Sequence, residues 1–358
     1  MQHFLNKLSN ITNNNSGDNM GHNIDLSKYK LRTDLAIEVI KDNIDGINSK
    51  IIINDDIKIT EVNIDLNASK IINKKPGNYY TIEFEDITDY DNSKKVEKIF
   101  SEELKKILSN INIDKTKTCL VVGLGNPKST PDSLGPLTIN NILVTNHLFM
   151  LGEVEKGFRC VSAISPGVSG TTGLETSEII ESIVKKFKPD FLIVIDALAS
   201  QSVERVNRTI QMTDTGIHPG SGVGNSRKEI SKDTLNIPCI AIGVPTVVDA
   251  ITIVSDTINY MHKHYSYSKA NKNNPLNKLI TLPNYLNKKI EVNPKDKEVL
   301  LGIVGTLKDE EVKQLLFEVL TPIGFNMMVT PKEVDFLVEK LGLIISNGIN
   351  KTLHEKVE

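Results

Sequence analysis

Between residues 51 and 87 the segments KIIIND, IKITEVNID and YYTIEFEDI are β-branched and partly alternating, a pattern that predicts strands and hairpins. The period then changes. Val96, Ile99, Phe100, Leu104, Ile107, Leu108 and Ile111 recur at helical spacing with Lys and Glu between them, predicting a helix over 92–111. From 118 to about 265, short apolar runs (119–124, 158–164, 190–196 and 237–243) alternate with helical patterns. One pattern passes through Ile179, Ile180, Ile183, Val184 and Phe187, another through Val247, Ile251, Val254 and Ile258. Runs that are apolar at nearly every position suit strands buried on both faces. Their alternation with helices predicts an α/β fold: a mainly parallel central sheet with helices on both faces, preceded by an N-terminal β-rich excursion.

The flanks read differently. Residues 1–23 are rich in Asn, Ser and Gly without a sustained apolar period, the composition of a disordered leader. Residues 266–290 are polar and Asn/Lys-rich, which predicts an exposed excursion. Two C-terminal helices should follow. The second opens on Thr330-Pro331-Lys332-Glu333, a capping-box pattern with Pro at the first helical position.

An apolar content of 39% and a charged content of 24% are ordinary for a globular protein. With no Trp, the core must be built mostly from Ile, Val and Leu. A formal charge of −3 offers no general attraction to nucleic acid or to an anionic membrane. The longest apolar stretches, such as FLIVIDALA, fall short of the ~20 residues needed to span a bilayer, and the N-terminus lacks a signal-peptide apolar region. Cys119, Cys160 and Cys239 lie in or beside β-like runs with no metal-binding spacing. They read as buried reduced thiols, so a cytoplasmic location is expected.

In open parallel sheets, ligands bind beyond the carboxyl ends of the strands, where loops and helix N-termini converge. Asp132 follows the run 119–124 by a short Gly/Pro loop, and Asp196 ends the run FLIVID. Each is open to a bland reading as a cap of the next turn or helix. Together they form a candidate pair, because two neighbouring carboxylates resist double ionisation and can divide acid and base roles. Gly167, Gly170 and Gly173 in the loop 165–176 offer backbone N–H groups to a substrate or oxyanion, or simply permit tight turns. His218, in DTGIHPGSGVGN, is a candidate base or metal ligand, or a solvated loop residue. No HExxH, GxSxG, Walker A or CxxC pattern occurs, which removes the common zinc-peptidase, serine-hydrolase and P-loop readings. VVGLGNP also occurs in peptidyl-tRNA hydrolases, but no histidine follows here until His147 and there is no basic footprint for RNA.

GLGN with TPDSLGPL, then SPGVSGTTGLETSEII, DFLIVIDALA, DTGIHPGSGVGN and IPCIAIGVPTVVDA, occur in that order over roughly 118–256. Together they resemble the germination proteases of spore-forming bacteria, endopeptidases that degrade small acid-soluble spore proteins. The resemblance implies a self-processing zymogen, homotetrameric, in the cytoplasm of the forespore or spore core, acting on those proteins and not on nucleic acid or membrane. It places the two aspartates implicated in activity on Asp132 and Asp196. The fold it implies is similar to that of hydrogenase-maturation peptidases, whose equivalent acids bind metal. A metal-dependent peptidase, or a metal-binding module of that type, is therefore the alternative reading. No cofactor is implied, and a divalent metal, if one is used, would sit on Asp132 and Asp196. Family substrates are cut after an acid preceded by Thr and followed by an apolar residue and Ala. Thr33-Asp34-Leu35-Ala36 looks like an internal copy of that site. The expected division is a propeptide over 1–34, released by cutting Asp34–Leu35, and a single catalytic domain over 35–358.

Overall fold

The computed structural model describes residues 33–40, 44–152, 154–220, 227–272, 292–320 and 327–357. Among these, nine strands form one sheet: β1 (Ile47–Asn54), β2 (Ile57–Ile64), β3 (Gly77–Glu83), β4 (Cys119–Gly123), β5 (Val161–Ile164), β6 (Phe191–Ser200), β7 (Thr209–Thr213), β8 (Cys239–Asp249) and β9 (Met328–Val329). Their order is β1-β2-β3-β7-β8-β6-β4-β5, with β9 added beside β8. The strands β5, β4, β6 and β8 run parallel to one another. The β-rich N-terminal segment does not stand apart from them. It joins the same sheet through antiparallel pairing of β3 with β7 and of β7 with β8.

Alternation along the central strands divides the core into two layers. Phe191, Ile193 and Ile195 of β6 pack in a large cluster with Phe100 and Leu104 of the helix Tyr90–Asn110 and with Ile345 and Ile349 of the helix Val334–Leu353. Leu192 and Val194 face the other way, toward Ile180 and Val184 of the helix Thr176–Phe187. Successive side chains point to opposite faces, so a strand with helices on both sides is apolar throughout. A third, smaller cluster joins Ala36 to Val62, Ile64, Ala68 and Tyr79, tying the N-terminal segment to β2 and β3. Cys119 and Cys239 are buried and Cys160 half-buried, all three unoxidised. Burial pushes the Cys239 thiol up to about 12.

Several elements differ from the sequence reading. β6 does not stop at Asp196 but continues to Ser200, because the register with β8 persists past Asp196 across a bulge at Leu198/Ala199. The capping box at 330–333 does not form. The Thr330 hydroxyl, just past β9, donates to the Thr246 carbonyl of β8 at 2.8 Å, and the last helix begins at Val334 with no side-chain cap. Among the described residues, three α-helices, not two, lie in the C-terminal part: Pro294–Leu301, Asp309–Leu320 and Val334–Leu353. The helix Ala250–Ala270 takes up the first residues of the expected excursion. The remainder of 266–290 from 273 onward, and the leader 1–23, lie outside the described residues.

Candidate active site

Asp196 sits where a strand position is buried but no longer apolar. It continues the face of Leu192 and Val194, is 6% exposed, and accepts the Ala197 N–H at 2.9 Å. In register it lies beside Gly243 of β8, which lies beside Gln211 of β7. Aligned residues in adjacent strands share a face, so Asp196 and Gln211 point the same way with a glycine between them. A Cβ on Gly243 would fall 2.4 Å from Leu198 Cδ1, so a larger residue there would have to push the Leu198 side chain aside.

Asp132 reaches the same sheet edge from the end of β4. The Leu124 N–H donates to the Ile195 carbonyl at 2.8 Å, and the chain then turns at Gly125, whose φ is +111°. A short 3-10 turn, Thr130–Asp132, follows. The Thr246 hydroxyl holds it by donating to the Pro131 carbonyl at 2.6 Å. One carboxylate oxygen of Asp132 accepts the Asn126 N–H at 2.8 Å, closing the loop on itself. Neither acid caps a helix: the helix Leu134–Ile139 has Ser133 at its N-cap, and Asp196 lies inside its strand.

Burial raises the Asp196 carboxyl well above the usual range, and the charges of Asp132 and Asp34 add to this. The Ala197 N–H and the Arg227 guanidinium pull the other way. Asp132 is raised as well, chiefly by burial, against the Asn126 N–H and Arg227. Arg227 thus bears on both acids. The shift has a stability consequence. Native Asp196 binds its proton more tightly than the unfolded chain does, so the native state holds more protons at every pH from the ordinary aspartate range, about 3.9, up to its raised value. Stability must therefore fall as pH rises through that window. Asp196→Asn should flatten this fall and melt higher than the unaltered chain at neutral pH. Thermal melts from pH 4 to 8 would check it; parallel curves for the two proteins would contradict it.

A third acid arrives from the N-terminal segment. The Asp34 N–H donates to the Ala199 carbonyl at 3.2 Å, and the Ala199 N–H donates to the Asp34 carboxylate at 2.9 Å. Leu35 and Ala36 are fully buried. The Leu35 N–H donates to the Thr33 hydroxyl at 3.0 Å, and the Ala36 N–H to Gln211 Oε1 at 2.7 Å. Glu38 anchors the far end, accepting the Ser200 hydroxyl at 2.6 Å and the Gln201 N–H at 2.8 Å beside Arg205. The segment lines a cleft of about 1060 Å³ together with Lys74, Leu198, Gln211, His218 and Gly243. Asp132 and Asp196 are not in that lining; the cleft approaches Asp196 through Gly243 and Leu198.

Residues 26–358 match the sequence pattern of a family described as germination protease. The chain belongs to the germination protease family. A germination protease from a Geobacillus species is 49% identical over 363 residues, covering 95% of this chain and 98% of that one. One from Bacillus cereus is 49% identical over 354 residues, covering 94% and 96%. The chain is therefore a peptidase by family. It also resembles a NiFe hydrogenase maturation protease, HycI, from Thermococcus kodakarensis, at 18% identity and a TM-score of 0.27 over 40% of this chain and 79% of that one. A likeness that slight carries no argument.

Within this family member, the other residues singled out from the sequence do not converge on the acid pair. His218 is half-exposed and lies 3.4 Å from a Glu229 carboxylate oxygen. Gly167 and Gly173 have positive φ, at +76° and +74°, as turn glycines do, and nothing lies within 4 Å of a Cβ on Gly170 or Gly173. Residues 221–226 of the His218 loop lie outside the described residues. Among the described residues, no three His, Cys, Asp or Glu side chains cluster as a metal site would require. His218 is paired to Glu229, and among the described residues no third His, Cys, Asp or Glu joins Asp132 and Asp196 in a metal-holding group. No described helix is long and apolar enough to cross a membrane. Four residues of the site escaped the sequence reading: Lys74, Gln211, Arg227 and Glu38. Gln211 left a trace, a polar residue between the apolar Ile210 and Met212 of TIQMT. The others left none.

Proposed function

We propose that this peptidase is a self-processing endopeptidase, made as a zymogen, that cuts after an acidic residue using Asp132 and Asp196 as an acid–base pair. In this reading Asp196, buried and flanked by two other acids, holds the shared proton. Asp132, accepting the Asn126 N–H, is the ionised base that activates water. Residues 1–34 are the propeptide and Asp34–Leu35 the bond cut. The substrates are small acid-soluble spore proteins, met in the cytoplasm of the forespore or spore core, and the assembly is a homotetramer.

The observation that carries this reading is the docking of Thr33–Ala36 beside Asp196. A stretch with the order Thr, acid, apolar residue, Ala is bonded through Asp34 to the backbone of Ala199, three residues along β6 from Asp196. It also supplies a physical reason for that order of residues. The Thr33 hydroxyl accepts the N–H of the residue after the acid and donates to Glu38. Leu35 and Ala36 fill space closed to solvent, which suits an apolar residue followed by a small one.

Intact-mass measurement on the full chain during incubation tests the proposal. The expected product begins at Leu35, and a peptide carrying Thr-Glu-Ile-Ala should be cut after its Glu by the matured enzyme. A fully active enzyme still carrying Met1 would overturn the processing scheme. The metal-dependent alternative has no third donor to support it among the described residues.

A further inference from the structure

Two donors converge on one oxygen. The Asp34 carbonyl, which belongs to the bond that the proposed function has cut, accepts from the Lys74 ammonium at 3.1 Å and from the Gln211 side-chain amide at 3.3 Å. Neither donor is used elsewhere in that scheme. Lys74 also holds the preceding carbonyl, that of Thr33, at 2.8 Å, and Gln211 holds the Ala36 N–H on the far side of the same bond. The two side chains therefore grip the segment on both sides of Asp34–Leu35 and aim a cation and an amide at the carbonyl between.

From this geometry we infer that Lys74 and Gln211 form an oxyanion hole for the scissile carbonyl. The inference rests on the proposed cut at Asp34–Leu35 and goes further by naming what polarises the bond. Asp132 takes a proton from water as the water oxygen bonds to the Asp34 carbonyl carbon. The π pair moves onto the carbonyl oxygen, where the Lys74 ammonium and the Gln211 N–H receive it. The pair then re-forms the carbonyl, the bond to the Leu35 nitrogen breaks, and that nitrogen takes the proton of Asp196. One water is consumed, and the aspartate pair ends with one proton, now on Asp132. Donors aimed at a developing oxyanion in a site shielded from water are commonly worth ~10²–10³ in rate each.

The surroundings suit the role. Gln211 is 6% exposed and shares a sheet face with Asp196 across Gly243. Lys74 is partly buried. Burial lowers its ammonium's pKa, and the charges of Asp34 and Glu38 partly offset this, while the ammonium stays within hydrogen-bond distance of the Thr33 and Asp34 carbonyls.

Two variants separate the donors from mere packing. Lys74→Met keeps the stem and removes the cation. Gln211→Glu keeps an acceptor for the Ala36 N–H and removes the donor facing Asp34. In the full chain, each should slow the first-order appearance of the product beginning at Leu35 by about 10²-fold. Hydrogen-exchange protection of the Ala199 amide, which reports docking of Asp34, should stay at the unaltered chain's level, and Lys74→Arg should recover most of the rate. If either variant melts early, Gln211→Met or Lys74→Leu replaces it as the folded comparison. Processing by Lys74→Met and Gln211→Glu within threefold of the unaltered chain overturns the oxyanion hole. So does a slower rate accompanied by lost Ala199 protection, which would make the two residues clamps only. The underlying reading fails separately: the unaltered chain would then not cut at Asp34–Leu35, or Asp196→Asn would still do so.

Discussion

Asp196→Asn should abolish both self-processing and peptide cleavage, lowering each by at least ~10³-fold, within the span assigned to positioned acid–base groups. Asp132→Asn should do the same, and the double variant should be little worse than either single one, because residues that act as a unit do not contribute additively. The substitutions are chosen to leave the fold intact. An Asn carbonyl at 196 can still accept the Ala197 N–H, and one at 132 can still accept the Asn126 N–H, the two backbone bonds now made by the carboxylates. At 196 the exchange even removes a charge whose burial is unfavourable. Initial rates on a Thr-Glu-Ile-Ala peptide, with melting curves alongside, decide the matter. Activity within tenfold of the unaltered enzyme in either variant would remove that residue from the chemistry. Two inactive variants that also failed to fold would assign both acids to structure instead.

Gly125→Ala is the second large effect expected, and it tests the scaffold. A Cβ at this position would lie 2.0 Å from the Asp132 carbonyl oxygen and 3.2 Å from its carboxylate. The neighbour is backbone, so it cannot rotate aside. The residue must also adopt a φ of +111°, which L-residues avoid at a cost of about 1–3 kcal/mol. The loop must shift, and the carboxylate shifts with it. A displacement of about 1 Å costs roughly 10²-fold in rate, so activity should fall by that order while the melting temperature drops by about 5 °C. Full activity in Gly125→Ala would show that the position of Asp132 is not held by this turn.

How much of this was legible beforehand depended on whether the signal was local. The buried strands announced themselves as unbroken apolar runs, and the helix Tyr90–Asn110 as a period. Asp132 and Asp196 could be selected because each followed such a run. Their electrostatic coupling could not be read, since it depends on β4 lying beside β6. A charged residue normally ends a buried run, so the pattern predicts a strand ending at Asp196; in β6, Ala197 to Ser200 continue the pairing. Thr330 looked like a cap because the four residues fit the pattern, yet a partner in β8 claimed its hydroxyl. Lys74 left no local signal, and the polar trace of Gln211 did not name its partner, for the same reason. Lys74 lies in NKKPG and Gln211 in TIQMT, and only the folding of β3 against β7 brings them to one carbonyl.

The anchoring of Glu38 has a bearing on the enzyme after its first reaction. Glu38, which bonds to Ser200, Gln201 and Arg205, lies downstream of Asp34–Leu35, on the part of the chain that the proposed cut would not release. Under the proposed cut the upstream portion would leave, while Leu35, Ala36 and Glu38 would stay tethered by these bonds. The proposed new N-terminus would then be its enzyme's first competitor, present at a local concentration that no dilution reduces, and a later protein substrate would have to displace it.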